Sequence, residues 1–189
     1  MTAFSEAQVY QRIGELAVSY QWIESRLREI GWFIQDPDRK VWPPPTLRSE
    51  SSQELFRKVS RLFLDALPLC DLGPELEADF RGAWATATRL FDEVRRARNR
   101  ILHSAFIELK ASSHGEVAGI VRANPRLERD PETGQLLFEH EMLSDNSFDS
   151  EMRMIGELSL ILNRCYMQLI ARLPHEDDKP TEASPGSSA

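Results

Sequence analysis

The sequence predicts a mainly α protein: four long helices, with a small β-meander inserted before the last of them. Three observations lead there. Apolar residues recur every three or four positions over four separate stretches. Proline-rich or turn-forming breaks separate those stretches. The segment 105–142 departs from this rhythm and reads as short strands punctuated by turn residues.

The first helix is expected from Ser5 to Ile34. Val9, Ile13, Leu16, Tyr20, Ile23, Leu27, Ile30 and Ile34 form its seam, and Ser5 with Gln8 has the spacing of a capping box. Asp36-Pro37-Asp38 stops it, and Trp42-Pro43-Pro44-Pro45 makes a stiff, extended connector. The second helix is expected from Ser52 to Leu67, with Leu55, Val59, Leu62, Phe63 and Ala66 inward and Pro68 closing it. The third starts at Pro74, a favoured first-turn residue, and reaches Arg100–His103. Its stripe is Phe80, Ala83, Ala87, Leu90, Val94, Ala97 and Ile101.

Three strands follow, at Ala105–Lys110, Glu116–Arg122 and Gln135–Met142. Ser113-His114-Gly115 and Asp130-Pro131-Glu132-Thr133-Gly134 supply the turns between them. The fourth helix runs from Phe148 to Leu173 through Ile155, Leu158, Leu162, Cys165 and Leu169. The domain is read as residues 1–174, and the Pro-, Ser- and Glu-rich tail 175–189 as disordered.

A chain of 189 residues with 41% hydrophobic and 28% charged content suits one globular domain. No run of about 18 apolar residues is present and the N-terminus has no secretory pattern, so a cytoplasmic protein without membrane contact is expected. Cys70 and Cys165 sit among apolar neighbours at no metal-ligand spacing, and read as packing residues. No glycine-rich phosphate loop, zinc spacing or nucleophile elbow occurs, so neither a cofactor nor a metal is expected.

The net charge of −7 argues against broad attraction to nucleic acid. Locally the balance reverses: residues 89–103 hold Arg89, Arg95, Arg96, Arg98 and Arg100 against Asp92 and Glu93. This strip is either a confined anion site or a solvated helix face.

Two residues break the helical seams. On a wheel of 100° per residue, Arg98 falls about 40° from Val94, inside the apolar stripe of the third helix. Glu24 falls about 40° from Tyr20, inside that of the first. If the two helices pack together, Glu24 and Arg98 are expected to meet in a partly buried ion pair. Asn99 and His103, at i and i+4, share another face. Arg98 and His103 differ by about 140°, so one chain does not easily bring both to one point. Trp22 and Trp32 fall off the seam of the first helix, whereas Trp84 is expected in the core.

The run Arg98-Asn99-Arg100-Ile101-Leu102-His103 resembles the signature of the HEPN superfamily, an arginine and a histidine separated by four to six residues, often with Asn after the Arg. Tyr20-Gln21-Trp22-Ile23-Glu24 in a long first helix also resembles the opening helix of small bacterial members. The likeness covers residues 5–104 and 148–173 and leaves out the meander at 105–142. It implies an antiparallel four-helix HEPN-like bundle that forms a homodimer with the two motifs facing each other. In catalytic members it implies a metal-independent endoribonuclease of the toxin or phage-defence kind.

Under that reading His103 transfers protons, Arg98 holds the scissile phosphate through its planar fork, and Asn99 orients the histidine or the sugar. Arg95, Arg96 and Arg100 track flanking phosphates of bound RNA. Each has a plainer use: Arg98 ties two helices together, His103 caps a helix C-terminus, and the arginines are a solvated face. An antitoxin or regulatory protein is a further possible partner. The alternative function is a non-catalytic module that binds a partner protein, a nucleotide or RNA.

Overall fold

The computed structural model describes residues 5–38, 40, 44–48, 51–110, 117–123, 128–129, 136–137 and 140–173. Among these are four α-helices: α1 (Glu6–Gln35), α2 (Ser52–Ala66), α3 (Pro74–Leu102) and α4 (Asp149–Ile170). Short strands lie between α3 and α4, so the mainly α class with a small antiparallel sheet before the last helix stands. The tail 175–189, the turns at 113–115 and 130–134, and Trp42-Pro43 lie outside the described residues, as do His114 and His175.

Helix ends follow their local chemistry. Ser5 Oγ accepts the Gln8 N–H at 3.3 Å while Gln8 Oε1 accepts the Ser5 N–H at 2.8 Å, the reciprocal pair of a capping box. Ser51 caps α2 by accepting the Glu54 N–H. A 3-10 turn, Leu67–Cys70, carries Pro68 past the end of α2 and closes on Asp71 in the left-handed region at φ 46°. Pro45–Leu47 forms another such turn within the expected connector.

The chain divides into two compact units. The first comprises residues 1–23 and 86–160. Its core gathers Val9, Leu16, Tyr20 and Ile23 from α1, Leu90, Phe91, Val94 and Ile101 from α3, and Ile155 and Leu158 from α4. It also holds the sheet, in which β1 (Ala105–Lys110), β2 (Val117–Ala123) and β5 (His140–Met142) pair antiparallel in the order β1-β2-β5. Ile120 and the adjoining Leu143 are buried, while Ile107, Leu109 and Met142 stay exposed, as the two-residue side-chain period requires.

The third strand is shorter than expected. Leu136–Leu137 (β4) leaves the Gln135–Met142 run to pair with Glu128–Arg129 (β3) in a separate two-stranded ribbon, and only His140–Met142 joins the sheet. Backbone pairing, which side-chain alternation does not specify, decides this split.

The second unit comprises residues 24–85 and 161–189. Trp84 is buried, stacks on Phe63 at 4.0 Å and on Phe56 at 5.9 Å between ring centroids, and donates its indole N–H to Ser60 Oγ at 3.0 Å. Phe33, rather than Ile34, is buried at the end of the α1 seam. Gly31 is needed for close approach: a Cβ there would stand 2.8 Å from Leu47 Cδ1 and 3.1 Å from Val59 Cγ2. Cys70 and Cys165 are buried free thiols, and burial pushes the Cys165 thiol up to about 12.

Candidate functional site

The residues singled out by the motif lie at the C-terminal end of α3, in the first unit. Helix geometry puts Arg95 and Arg98 on the inward-leaning side, Arg96 and Arg100 on the exposed side, and Asn99 between them. His103 sits just beyond the last helical residue. Its backbone N–H still donates to Asn99 O at 3.1 Å, so it extends the last turn with its side chain in solvent. Ser104 Oγ donates to Arg100 O at 2.6 Å, satisfying one of the carbonyls that a helix end leaves open.

Charge pairing separates the five arginines of this stretch. Arg89 pairs with Glu93 at 2.8 Å. Arg95 and Arg96 share Asp92, at 2.8 Å and 2.5 Å. Arg95's hydrogen bond, aided by the charge of Arg96, holds the Asp92 carboxyl below its usual range. Arg100 lies 3.6 Å from Glu151 of α4. Arg98 has no carboxylate among the described residues. It donates from Nη1 to Asn99 Oδ1 at 2.9 Å, and its guanidinium carbon lies 5.4 Å from the centroid of the Tyr20 ring. Its Nε is buried without a hydrogen-bond acceptor, and so is that of Arg95.

The ion pair expected from the wheel would join Glu24 of the second unit to Arg98 of the first. Glu24 accepts from Ser52 Oγ and stands 3.6 Å from Arg28. A wheel angle assigns a face but neither a height along the axis nor the competing donors. Ser52, in the first turn of α2, and Arg28, one turn further along α1, supply those donors to Glu24. Asn99 likewise engages Arg98, and no described hydrogen bond joins it to His103.

Sequence reasoning missed a polar cleft of about 300 Å³ beside the motif. Arg100 lines it together with Arg122 and Glu141 of the sheet, Ser147 and Phe148 of the turn before α4, and Glu151. Arg122 bonds Glu141 and lies over the Phe148 ring, 5.9 Å from its centroid. The turn is tightly specified: Ser147 Oγ accepts the Ser144 N–H at 2.9 Å, and Phe148, its ring buried, takes φ 74°. A non-glycine residue there is strained, and burial of the ring together with the bond from Met152 N–H to Phe148 O opposes that strain. Alternating strand pattern gave no hint of this site, because its residues come from three separate stretches. The Ser144–Ser147 cluster just ahead of a helix was the one available signal.

Among the described residues, no group of three or more His, Cys, Asp or Glu side chains is gathered to hold a metal ion. No described helix is long and apolar enough to cross a membrane. No protein-family model matches the chain, nor does any curated protein or solved structure.

Proposed function

We propose that the chain is a metal-independent endoribonuclease of the HEPN kind. In this reading its helices form the four-helix bundle of that superfamily, and it acts in the cytoplasm as a homodimer that cleaves RNA. The observation that carries the reading is the state of Arg98. Of five neighbouring arginines it alone lacks a carboxylate among the described residues, yet its guanidinium is partly buried. A partly desolvated cation without a counter-charge is poised for an anion, and its planar fork matches two phosphate oxygens. Asn99 holds the fork from one side, and the Tyr20 ring lies under it.

His103, exposed one turn beyond Asn99, would exchange protons with the ribose 2′-hydroxyl or the leaving oxygen, and its exposure supports that role. Arg98 stabilises the charge that develops at phosphorus. Arg98 faces Tyr20 while His103 faces solvent, so a second copy would complete the site by presenting its own motif. The test is cleavage of a labelled single-stranded RNA pool in excess chelator. Cleavage by the wild type, lost in both Arg98→Ala and His103→Ala with folding intact, is the expected result. Full activity in both variants, or a silent wild type under every oligomeric state sampled, overturns it.

The second reading, a non-catalytic module that binds a partner protein, a nucleotide or RNA, is favoured by one observation. Asn99 is engaged by Arg98 and thereby drawn away from His103. On this reading Arg98→Ala lowers stability and His103→Ala changes nothing.

A further inference from the structure

We propose that the polar cleft between the sheet and the start of α4 (Asp149–Ile170) binds a single guanine base. The base is carried either by a free nucleotide or by an unpaired residue of RNA.

Size sets the first limit. About 300 Å³ lies at the small end of ligand pockets, enough for a nucleoside and too little for an oligonucleotide. Charge sets the second. Arg100 and Arg122 are matched by Glu141 and Glu151, so the cleft carries no net charge to draw a bare phosphate. What remains is a lining of paired donors and acceptors, completed by Ser144, Asn146 and Ser150. Such a surface recognises a flat, neutral ligand through its edges.

Hydrogen-bond direction selects the base. Glu151 is the deeper carboxylate, with 12% of its side chain exposed against 48% for Glu141. Its Oε2 accepts from Ser150 Oγ at 2.6 Å and Oε1 faces Arg100 at 3.6 Å, which leaves lone pairs free on both oxygens. Guanine is the base whose edge offers two adjacent donors, N1–H and the 2-amino group, to one carboxylate. Adenine would set its N1 acceptor against the same oxygens. The other side of the cleft supplies the complementary donors. Arg122 is largely buried and held by Glu141, so the accessible guanidinium is that of Arg100, 46% exposed and beside Glu151, and a guanidinium paired to guanine O6 and N7 is the commonest specific arginine–base contact. Arg100 stands in both the motif and the cleft, about 60° from His103 around the helix and on the side away from Arg98, so a base held here would place its own chain beside His103.

As a binding site the cleft stands independently; as an RNA subsite that sets the cleavage position it rests on the nuclease reading. The test titrates the full-length protein with guanosine monophosphate, adenosine monophosphate and inorganic phosphate, followed by calorimetry. His103→Ala protein is then titrated with single-stranded adenine oligonucleotides that carry one guanine or none. Guanosine monophosphate is expected to bind about tenfold tighter than its adenine counterpart. Phosphate should not displace it, and Glu151→Gln should erase the preference. If Glu151→Gln does not fold, Arg100→Gln, at an exposed position, decides in its place by weakening guanosine monophosphate about tenfold. Preference for the free nucleotide over the guanine-bearing oligonucleotide assigns the cleft to a nucleotide, and the reverse assigns it to RNA. Equal binding of the two bases, displacement by phosphate, or a preference that survives the substitution overturns the proposal. Guanine binding without RNA cleavage would retain the cleft and remove the nuclease; cleavage indifferent to guanine would do the opposite.

Discussion

Arg98 lies over the Tyr20 ring, 5.4 Å from its centroid, and Tyr20 in turn stacks on Phe91 at 6.3 Å. The contact joins the start of the motif on α3 to the buried seam of α1. A partly desolvated cation over an aromatic face is worth about 1–2 kcal/mol. In a double-mutant cycle of Tyr20→Leu and Arg98→Met, followed by urea denaturation, the coupling energy is expected in that range. Additive losses would mean that the ring merely fills space.

Gly31 and Gly14 of α1 should respond to alanine with opposite signs. At Gly31 the new methyl meets Leu47 and Val59, both fully buried, so Gly31→Ala is expected to cost about 1–3 kcal/mol. Gly14 has nothing within 4 Å of an added Cβ, and Gly14→Ala should stabilise by roughly 0.5–1 kcal/mol. Paired thermal melts of the two variants check this.

Asp92 supplies a pH dependence. Its folded carboxyl titrates below the ordinary 3.8 because Arg95 donates to it and Arg96 adds its charge. A depressed carboxyl contributes its stability in full above the unfolded value and loses it as pH falls through the folded one. With 40% of that side chain exposed, solvent screening keeps the contribution below about 1 kcal/mol. Asp92→Asn should therefore lower stability slightly at pH 7 and flatten the stability profile below about pH 4. An unchanged profile would show that the pair is silent.

Cys165 should be a poor nucleophile. Burial raises its thiol to about 12, so almost no thiolate exists at pH 8. Reaction of the native protein with a thiol-specific disulfide reagent is expected to be slow, and fast in denaturant. Rapid labelling of the native protein would show that the second unit opens readily.

The four helices were legible because burial writes itself into sequence at a fixed period. Val9, Leu16, Tyr20 and Leu27 announce α1, and the Ser5–Gln8 box marks its start within a residue. The core place of Trp84 was legible for the same reason. The third strand was less so, since whether Leu136–Leu137 pairs with Glu128–Arg129 or with the sheet depends on backbone partners far along the chain. At the site, the wheel marks Arg98 as an arginine leaning inward, and its Nε is buried; it does not foresee that Glu24 accepts from Ser52. Periodicity reports which side a residue faces; it is silent about which of several donors reaches an acceptor first. The cleft was illegible for a related reason. Arg122, Phe148 and Glu151 become neighbours only through the sheet's pairing and a left-handed residue at the head of a helix.

The pairing along α3 bears on how such a surface would feel salt. Four of its five clustered arginines already hold a carboxylate as an internal counterion, so they are less free to displace condensed cations from the phosphates of an incoming polyanion. If Arg98 alone neutralises a phosphate and releases its condensed cation, the logarithm of affinity for single-stranded RNA should fall with the logarithm of salt at a slope of about −0.7. Between 50 and 200 mM salt that amounts to roughly a threefold loss, where a basic RNA-binding surface would lose a thousandfold or more.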